Sequence, residues 1–329
     1  MSALGLGLIG CGGMGKSLIK GAHASGLGKL IVACDMDAER AQQAAEEFDC
    51  ASCNDMNDVF GRSDIDALVI ATPNFAHCDC VLAAAQSGKP IFCEKPMALS
   101  TADCDRMIAA CKASGSGLMI GQVLRYIGVF DKAIELVREG AIGEPFGIHV
   151  ARMSLSDPSK QAPWRHDINK SGGTLFEFGV HEIDFIGCIC GQAKSVFATG
   201  SNFLHQGQYN FPDHIFLTID FVNGAKGMYA NGAASAIPWN ETRVWGAEGA
   251  ITLTSWGGKL QLKRSSDAEP QAVDIGSREP HVQREVREFL ESARDGSPMT
   301  IPGETGRANV AIAEAGLKSI QTGQVVAVA

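Results

Sequence analysis

The sequence of 329 residues contains no long hydrophobic segment. A helix that spans a bilayer needs about 20 consecutive apolar residues, and glycine or a charged residue interrupts each apolar run before that length. The first residues also lack the basic segment and cleavage site of a secretory leader. We therefore expect a cytoplasmic protein that has no membrane partner.

Positive charge is also scarce. The chain has 28 Lys and Arg residues against 37 Asp and Glu residues, so its formal net charge is -9. A nucleic acid backbone gains nothing electrostatically from such a surface. Because 45% of the residues are hydrophobic, the chain can build the cores of two domains. The expected partner is a small molecule and not a nucleic acid.

No metal-binding pattern accompanies the eleven cysteines. Cys50 and Cys53 form a C-x-x-C pair, but a zinc site normally needs a second matched pair or nearby histidines. The other cysteines are dispersed, and many lie within apolar strand or helix patterns. We therefore expect no metal ion and interpret the thiols as reduced and buried.

Residues 4–121 alternate short apolar strands with amphipathic helices, which is typical of a doubly wound parallel sheet. The predicted strands are Leu4–Ile9, Leu30–Cys34, Ala67–Ala71, Pro90–Cys93 and Leu118–Gly121. Ser100 followed by Asp103 predicts the start of a helix after the fourth strand. The fold class is therefore α/β, with a Rossmann domain at residues 1–122.

The pattern changes after residue 122. Two helices near residues 128–139 and 174–190 precede a run of longer strands, and two helices near 281–295 and 305–322 close the chain. Asn223-Gly224 and Gly257-Gly258 are hairpin signals between strand patterns. We therefore predict a second α/β domain at residues 123–329, with a large and mainly antiparallel open sheet.

A glycine-rich loop follows the first predicted strand and opens a predicted helix. Its residues are Gly10, Cys11, Gly12, Gly13, Met14 and Gly15. This context makes a G-x-G-x-x-G pattern a dinucleotide-binding signal. Gly10 permits the tight turn, Gly12 admits the pyrophosphate close to the backbone, and Gly15 allows close packing, so the pyrophosphate meets the helix N-terminus.

Asp35 lies at the end of the second predicted strand. A carboxylate there accepts the adenosine ribose hydroxyls and repels a 2'-phosphate, so the cofactor is predicted to be NAD rather than NADP. We count Asp35, Met36 and Arg40 as cofactor-binding residues. Two alternatives stay open: Asp35 could cap the helix that begins near Asp37, and Arg40 could accommodate a phosphate.

Glu94, Lys95 and Pro96 follow the fourth predicted strand. Open parallel sheets bind ligands at the carboxyl ends of their strands, so Lys95 is a candidate residue of the cofactor crevice. A lysine before proline is also common in surface turns. Lys95 alone therefore does not distinguish a cofactor site from an ordinary surface turn.

In the second domain, Glu177, His181 and Asp184 have the spacing i, i+4 and i+7. This spacing places the three residues on one face of an α-helix. An acid beside an imidazole can hold the tautomer that a general base needs. The alternatives are capping and surface charges, or a metal-ligand triad.

Together these residues resemble the Gfo/Idh/MocA oxidoreductases over essentially the whole chain. The matching segments beyond the glycine loop are Ala71-Thr72-Pro73-Asn74 with His77, Glu94-Lys95-Pro96, Trp164-Arg165, Gly172 to Asp184, and Ser319 to Gly323. The resemblance implies an NAD(H)-dependent oxidoreductase. It also implies a homodimer or homotetramer that assembles through the open sheet of the second domain.

The resemblance implies a role for individual residues. Lys95 lies beside the nicotinamide, His181 transfers a proton, and Glu177 or Asp184 orients them. The residues implied to line the cofactor are Thr72, Pro73, Asn74, His77, Glu94, Lys95, Gln122, Trp164 and Arg165. The residues implied to face the substrate are Lys95, Arg125, Arg165, Glu177, His181 and Asp184. The family pattern has an aspartate where this chain has Glu177, which moves the carboxylate.

The expected reaction is the reversible oxidation of a secondary alcohol on a sugar, sugar derivative or cyclitol, with hydride transfer to or from the nicotinamide. One alternative is a redox-assisted glycoside hydrolase or lyase that recycles its NAD. Another is a non-catalytic sugar or dinucleotide sensor on the same fold. The polar loops 153–171 and 202–213 are expected to wall the substrate side.

Overall fold

The computed structural model describes residues 3–254 and 258–329. Two compact units divide the chain: residues up to Val123 together with Glu279–Ala308, and Leu124–Arg278 together with Asn309–Ala329. Each unit has its own sheet. No helix in the two described stretches is long and apolar enough to cross a membrane.

The first unit is built on a six-stranded parallel sheet. Its strands are β1 (Leu4–Ile9), β2 (Gly28–Cys34), β3 (Ala51–Cys53), β4 (Ala67–Ile70), β5 (Ile91–Cys93) and β6 (Leu118–Ile120). The helices between them are α1 (Gly13–Ala24), α2 (Ala38–Phe48), α3 (Asn57–Phe60), α4 (His77–Ala85) and α5 (Thr101–Ser114). The strand order β3-β2-β1-β4-β5-β6 reverses between β1 and β4, where doubly wound sheets bind their ligands. The predicted Rossmann sheet is confirmed, with β3 as an additional strand.

Local sequence signals set two of the helix boundaries. Oγ of Ser100 accepts the N–H of Asp103 at 3.1 Å, so α5 begins with the predicted serine cap. Its C-terminus is capped by Gly115, whose φ of 76° lies in the left-handed region. Asp37 caps α2 by accepting two backbone N–H groups of its first turn. The cap of α2 is therefore Asp37, and the alternative interpretation of Asp35 as that cap is wrong.

The second unit lies within the chain from residue 124 onward, except that residues 279–308 belong to the first unit. The elements from residue 124 onward are α6 (Gly128–Arg138), β7 (Pro145–Leu155), α7 (Ile168–Ser171), a π-helix (Leu175–Gly179), α8 (Val180–Cys190), β8 (Ala193–Ser201), β9 (His214–Phe221), β10 (Lys226–Gly232), β11 (Ala234–Gly246), β12 (Gly249–Thr254), β13 (Leu260–Arg264), β14 (Gln271–Ala272), α9 (His281–Asp295), α10 (Gly303–Thr322) and β15 (Val326–Ala327).

The sheet of the second unit has nine strands in the order β14-β13-β12-β11-β7-β10-β9-β8-β15. Among the described strands, β7 and β10 pair in parallel and the other neighbours are antiparallel. The predicted mainly antiparallel sheet is confirmed. The β9–β10 hairpin turns at the predicted Asn223-Gly224, where Gly224 has a φ of 91°. Gly257 of the second predicted turn lies outside the described residues.

Helix α9 belongs to the first unit although it follows the large sheet in the sequence. It packs against α1, and a Cβ at Gly21 of α1 would lie only 3.1 Å from Cα of Gln283. Phe289 also meets Phe92 of β5 edge-on, with ring centroids 5.6 Å apart. The domain boundary that we predicted at residue 122 leaves out this segment, which returns to the first unit.

Candidate active site

The glycine loop joins β1 to α1 at the carboxyl edge of the parallel sheet. Gly10 has a φ of 96°, and a Cβ there would lie 2.5 Å from the carbonyl oxygen of Ala71, so only glycine fits. A Cβ at Gly15 would lie 2.2 Å from the carbonyl oxygen of Gly10. At Gly12 and Gly13, by contrast, a Cβ would meet no described atom within 4 Å. The loop therefore leaves open space above its backbone.

The N-terminus of α1 borders this space. No side chain of the described residues caps the helix at Gly12, and its first turn contains no acidic residue. The N–H groups of that turn and the positive end of the helix dipole therefore suit a phosphate group. Of the two non-glycine residues in the loop, Cys11 is buried and Met14 is exposed.

Asp35 follows β2 beside the loop. Its Oδ2 accepts the N–H of Cys11 at 2.9 Å, and its Oδ1 accepts the N–H of Asp37 at 3.0 Å. These bonds fix a half-buried carboxylate next to the glycine loop. Nε of Arg40 lies 3.2 Å from Oδ2 of Asp37, and Met36 is 96% exposed. The arrangement suits recognition of a ribose diol.

Two buried polar atoms at the same sheet edge have no hydrogen-bond partner within residues 3–254 and 258–329. They are Oγ1 of Thr72, after β4, and Oε1 of Gln122, after β6. Because buried polar atoms are nearly always satisfied, these two fit a polar ligand that supplies their partners. With the open glycine loop, the helix N-terminus and Asp35, they fit a nicotinamide dinucleotide.

His77 was predicted to line the cofactor, but the structure places it beneath the site. Its side chain is fully buried at the start of α4. One ring nitrogen lies 2.7 Å from the carbonyl oxygen of Pro96, and the other lies 2.9 Å from that of Thr72. His77 therefore supports both segments, and we correct its predicted role from lining to support. Its neighbours Pro73 and Asn74 are half-buried and buried.

Lys95 follows β5 at the same edge and is half-buried. Its backbone N–H donates to Oε2 of the buried Glu94 at 3.1 Å. The Lys95–Pro96 peptide bond is cis. The Lys95 side chain therefore begins at the sheet edge that also carries the glycine loop.

In the second unit, the segment that carries Glu177 and His181 is not one continuous α-helix. Leu175–Gly179 forms a π-helix, and α8 begins only at Val180. The wider spacing of a π-helix, i to i+5, interrupts the α-helical period. The predicted single face of Glu177, His181 and Asp184 is therefore wrong. His181 lies in the first turn of α8 and is 8% exposed.

Glu177 pairs with Arg165, another residue predicted to be in the site. Oε1 of Glu177 lies 2.9 Å from Nη1 of Arg165, and the side chains are 6% and 39% exposed. The guanidinium of Arg165 lies 5.1 Å from the ring centroid of Trp164, a cation–π distance. The structure thus brings together Trp164, Arg165 and Glu177.

Asp184 was predicted to face the substrate, and the structure buries it instead. Nε and Nη2 of Arg125 donate to its two carboxylate oxygens at 2.6 and 2.7 Å, and Nδ2 of Asn309 donates to it at 2.8 Å. Burial lowers the pKa of Arg125, but the hydrogen bonds and the charge of Asp184 outweigh burial and raise that pKa. Asp184 therefore fixes the charged form of Arg125.

Sequence reasoning missed the partners of Glu182. This fully buried carboxylate accepts hydrogen bonds from Nη1 of Arg152 on β7 and from the hydroxyl of Tyr229 on β10. The one indication of a functional role for Glu182 in the sequence is that this acidic residue directly follows His181. Nothing in the spacing identifies the distant Arg152 as its partner.

The loops 153–171 and 202–213 face a common cavity of about 780 Å³. Its lining includes Leu155, Ser156, His166, Leu204, His205 and Gln208. Oδ1 of Asp213 accepts the N–H of Phe203 at 3.0 Å, and Oδ2 accepts those of Leu204 and His205 at 2.8 and 3.0 Å. The buried Asp213 therefore holds one wall of this cavity in shape.

The described residues contain neither a metal-ligand cluster nor a disulfide bond. No group of three or more His, Cys, Asp and Glu side chains there could hold a metal ion. All eleven cysteines are free; Cys50, Cys53 and Cys188 are half-buried and the others are buried. Most of the thiols are therefore buried, as expected from the sequence.

Comparison with known proteins relates both units to one family. Residues 4–122 match the sequence model of the Gfo/Idh/MocA oxidoreductase family with an NAD-binding Rossmann fold, and residues 130–252 match that of the Gfo/Idh/MocA C-terminal domain.

Individual relatives agree with this match. The chain is 32% identical over 267 residues to 2,7-anhydro-N-acetylneuraminate hydratase from Mediterraneibacter gnavus, covering 80% of this chain and 71% of that protein. It is 26% identical over 330 residues to myo-inositol 2-dehydrogenase from Thermotoga maritima, covering 96% of each. A solved levoglucosan dehydrogenase in complex with NADH is similar with a TM-score of 0.92 at 25% identity, covering 100% of both chains. The resemblance is confirmed: the chain belongs to the Gfo/Idh/MocA family of oxidoreductases, with an NAD-binding Rossmann fold at its N-terminus.

Proposed function

We propose that this chain is an NAD-dependent dehydrogenase that oxidises a secondary alcohol of a sugar, sugar derivative or cyclitol in the cytoplasm. The observation that carries the proposal is the Asp35 carboxylate, fixed by the N–H of Cys11 at 2.9 Å beside an open glycine loop. Two relatives support the substrate class, because one is named a myo-inositol 2-dehydrogenase and the other a levoglucosan dehydrogenase.

The charges around Asp35 favour NAD over NADP. A 2'-phosphate at the end of β2 would meet the Asp35 carboxylate. Arg40 is the nearby cation that could compensate, but its Nε pairs with Asp37 at 3.2 Å. The two carboxylates therefore oppose a 2'-phosphate, because the nearby arginine is already paired.

Each of the proposed site residues has a separate role in the reaction. When bound, NAD⁺ supplies the hydride acceptor. His181 takes the proton from the substrate hydroxyl as general base, and the Lys95 ammonium stabilises the negative charge that develops on the oxygen. Glu177, fixed by Arg165, and Arg125, fixed by Asp184, orient the substrate.

The outer face of the large sheet supports assembly into a homodimer or homotetramer. Strand register places Phe197, Phe216 and Met228 on one face, and they are 38%, 50% and 50% exposed. Trp239 contacts His149 of the same face, with ring centroids 5.3 Å apart and the ring planes tilted by 38°. Contiguous exposed apolar side chains of this kind mark interaction surfaces.

A second candidate function follows from the relative named a hydratase, at 32% identity. In that case the chain would oxidise its substrate transiently, so that a neighbouring C–H becomes acidic, and would reduce the product again with the same cofactor. Such a redox-assisted lyase or hydrolase releases no net NADH. The proposed residues would serve both reactions.

One experiment tests the proposal and separates the two candidates. The protein is incubated with NAD⁺, or in parallel NADP⁺, and a panel of cyclitols, aldoses, anhydrosugars and glycosides. NADH absorbance and product formation by mass spectrometry are recorded together. Net NADH with an oxidised product supports the dehydrogenase, and product without net NADH supports the second candidate. Tight NADH binding without any turnover would reject both.

A further inference from the structure

Arg152 on β7 contacts the segment that carries two of the residues proposed to act on the substrate. Its Nη1 donates to the carbonyl oxygen of Phe178 at 3.2 Å and to the two carboxylate oxygens of Glu182 at 3.0 and 3.1 Å. Phe178 directly follows Glu177, and Glu182 directly follows His181. One nitrogen atom therefore holds the residue after each of them.

Further groups orient this ion pair. The hydroxyl of Tyr229 donates to Oε2 of Glu182 at 3.1 Å, and the side-chain amide of Asn231 donates to the same hydroxyl. The guanidinium of Arg152 also lies 5.8 Å from the ring centroid of Phe178. Burial raises the pKa of Glu182, and the charge and hydrogen bonds of Arg152 offset part of that rise. The cluster therefore fixes Arg152 in one orientation.

Stability alone does not account for such a cluster. Desolvation of a buried ion pair offsets much of the attraction between its charges, and apolar side chains of similar volume often stabilise a fold as well or better. A buried pair does, however, hold its partners in one specific arrangement, because any other arrangement leaves a charge buried without a partner. The Arg152–Glu182 pair therefore acts mainly by holding its neighbours in one arrangement and only secondarily by stabilising the fold.

The arrangement that this pair holds is the junction at which the π-helix meets α8. Phe178 lies in the π-helix, and Glu182 lies in α8. π-helical turns are rare and are frequent at functional sites. In an α-helix each residue advances by about 100°. If the π-helix relaxed to α-helical spacing, Glu177 would therefore rotate by about that angle relative to His181.

We propose that Arg152 is a positioning residue that fixes Glu177 relative to His181 by holding Phe178 and Glu182 across this junction. The proposal rests on the proposed function, because it assumes that Glu177 and His181 act on the substrate. Arg152 itself contacts neither the substrate nor the cofactor in this proposal.

The experiment compares Arg152→Met and Arg152→Lys with the control Lys226→Met. The control removes a cation from an exposed pair with Asp220 on the same sheet. For each protein, kcat and KM for the best substrate, Kd for NADH and Tm are measured. We expect Arg152→Met to lower kcat by about 10²-fold, the effect of a displacement of about 1 Å. Kd for NADH should not change, because the glycine loop and Asp35 belong to the first unit.

The conservative variant distinguishes positioning from stability. Arg152→Lys keeps a cation opposite Glu182, so it should recover part of the kcat that Arg152→Met loses. Wild-type kcat in Arg152→Met, even with a lowered Tm, would overturn the proposal. So would an equal loss of kcat in the control.

Two other outcomes are also decisive. If Arg152→Met does not fold, Arg152→Lys carries the test: a reduced kcat at unchanged Kd for NADH supports positioning, and an unchanged kcat overturns it. If the wild-type protein shows neither NADH formation nor product on any substrate, the proposed function fails and the positioning role fails with it. An active wild-type protein with unaffected variants rejects the positioning role alone.

Discussion

Nη1 of Arg165 lies 2.9 Å from Oε1 of Glu177, a contact that joins the π-helix to the 3-10 helix Pro163–His166. The family pattern implied by the sequence has an aspartate in place of Glu177. An aspartate is shorter by one C–C bond, about 1.5 Å, so it would not reach Arg165 from the same backbone position. The glutamate therefore fixes both a carboxylate and a guanidinium.

The first prediction concerns this pair. Glu177→Asp should raise KM for the best substrate about tenfold, because a lost hydrogen bond between charged groups is worth about 1.5 kcal/mol. Tm should change little, because Arg165 is partly exposed and such pairs add little stability. Steady-state kinetics and thermal unfolding test this. Glu291→Asp, which shortens a helix-surface pair with Arg287, is the control. A KM equal to that of the wild type would contradict a substrate role for the pair.

The second prediction concerns cofactor choice. Asp35→Ser should weaken NADH binding by about 10- to 100-fold, because the ribose loses hydrogen bonds to a charged acceptor worth about 1.5–3 kcal/mol. NADPH binding should improve, because the repulsion of a 2'-phosphate is removed. Fluorescence titration gives both Kd values. Asp64→Asn, which removes an exposed carboxylate paired with Arg62 in the same unit, should leave the ratio of the two Kd values unchanged. A wild-type preference for NADPH would refute the assignment of NAD.

The third prediction concerns Lys95. Lys95→Met should lower kcat by about 10²- to 10³-fold, the effect of removing one group that stabilises charge in the transition state. NADH affinity should be largely retained, because that charge develops only during reaction. Single-turnover kinetics and NADH titration separate the two effects. Lys29→Met, at an exposed lysine of the same unit, serves as the control. Full turnover in Lys95→Met would remove this residue from the mechanism.

The fourth prediction concerns pH. Burial raises the pKa of Asp213, but the N–H groups of Phe203, Leu204 and His205 and the side chain of His205 outweigh burial, so the pKa is lowered. A carboxylate with a lowered pKa in the folded state stabilises the protein above its unfolded pKa of about 3.9. That contribution is lost as the pH falls through the folded-state pKa.

Asp213→Asn should therefore reduce the free energy of unfolding by about 1–3 kcal/mol at neutral pH. The difference from the wild type should shrink as the pH falls below about 4. Urea unfolding at several pH values measures both effects. Asp220→Asn, at an exposed residue of β9 that pairs with Lys226, is the control. A difference that is independent of pH would argue against a charged Asp213.

The fifth prediction concerns assembly. Phe216→Glu places a charge on the apolar face of the large sheet, where it would be buried without a partner in a homo-oligomer. We expect the wild type to sediment as a dimer or tetramer and the variant as a smaller species. Val222→Glu changes another exposed apolar residue, which lies beside the Asn223-Gly224 turn, and should not alter the mass. A monomeric wild type would reject assembly through this face.

Local sequence patterns were sufficient for most of the first unit. The alternation of short apolar strands and helices predicted five of its six strands, and the glycine loop predicted the turn at Gly10. These features depend on residues close together in the sequence and on the conformational freedom of glycine. Strand β3 was missed because only three residues form it and none is fully buried, so it carries no apolar period.

The π-helix marks where local patterns stopped being sufficient. Residues 174–190 have a helical period, and spacing alone predicted one α-helix with three functional residues on one face. The structure inserts a π-helix at Leu175–Gly179 and pairs Glu182 with Arg152, which lies 30 residues away. No short-range spacing encodes such a contact. The same holds for Asp184, whose partners are Arg125 and Asn309.

The sequence by itself determined the α/β class, the Rossmann sheet, the family and the chemistry-bearing residue types, because backbone sterics and hydrophobic periodicity are local properties. Only the tertiary structure decided which carboxylates are buried in ion pairs and which can contact a ligand. It buried Asp184 under Arg125, placed His77 beneath the Lys95 turn, and joined Glu177 to Arg165. The reason is that a charged side chain in a folded protein takes its role from its nearest partner, and long-range packing chooses that partner.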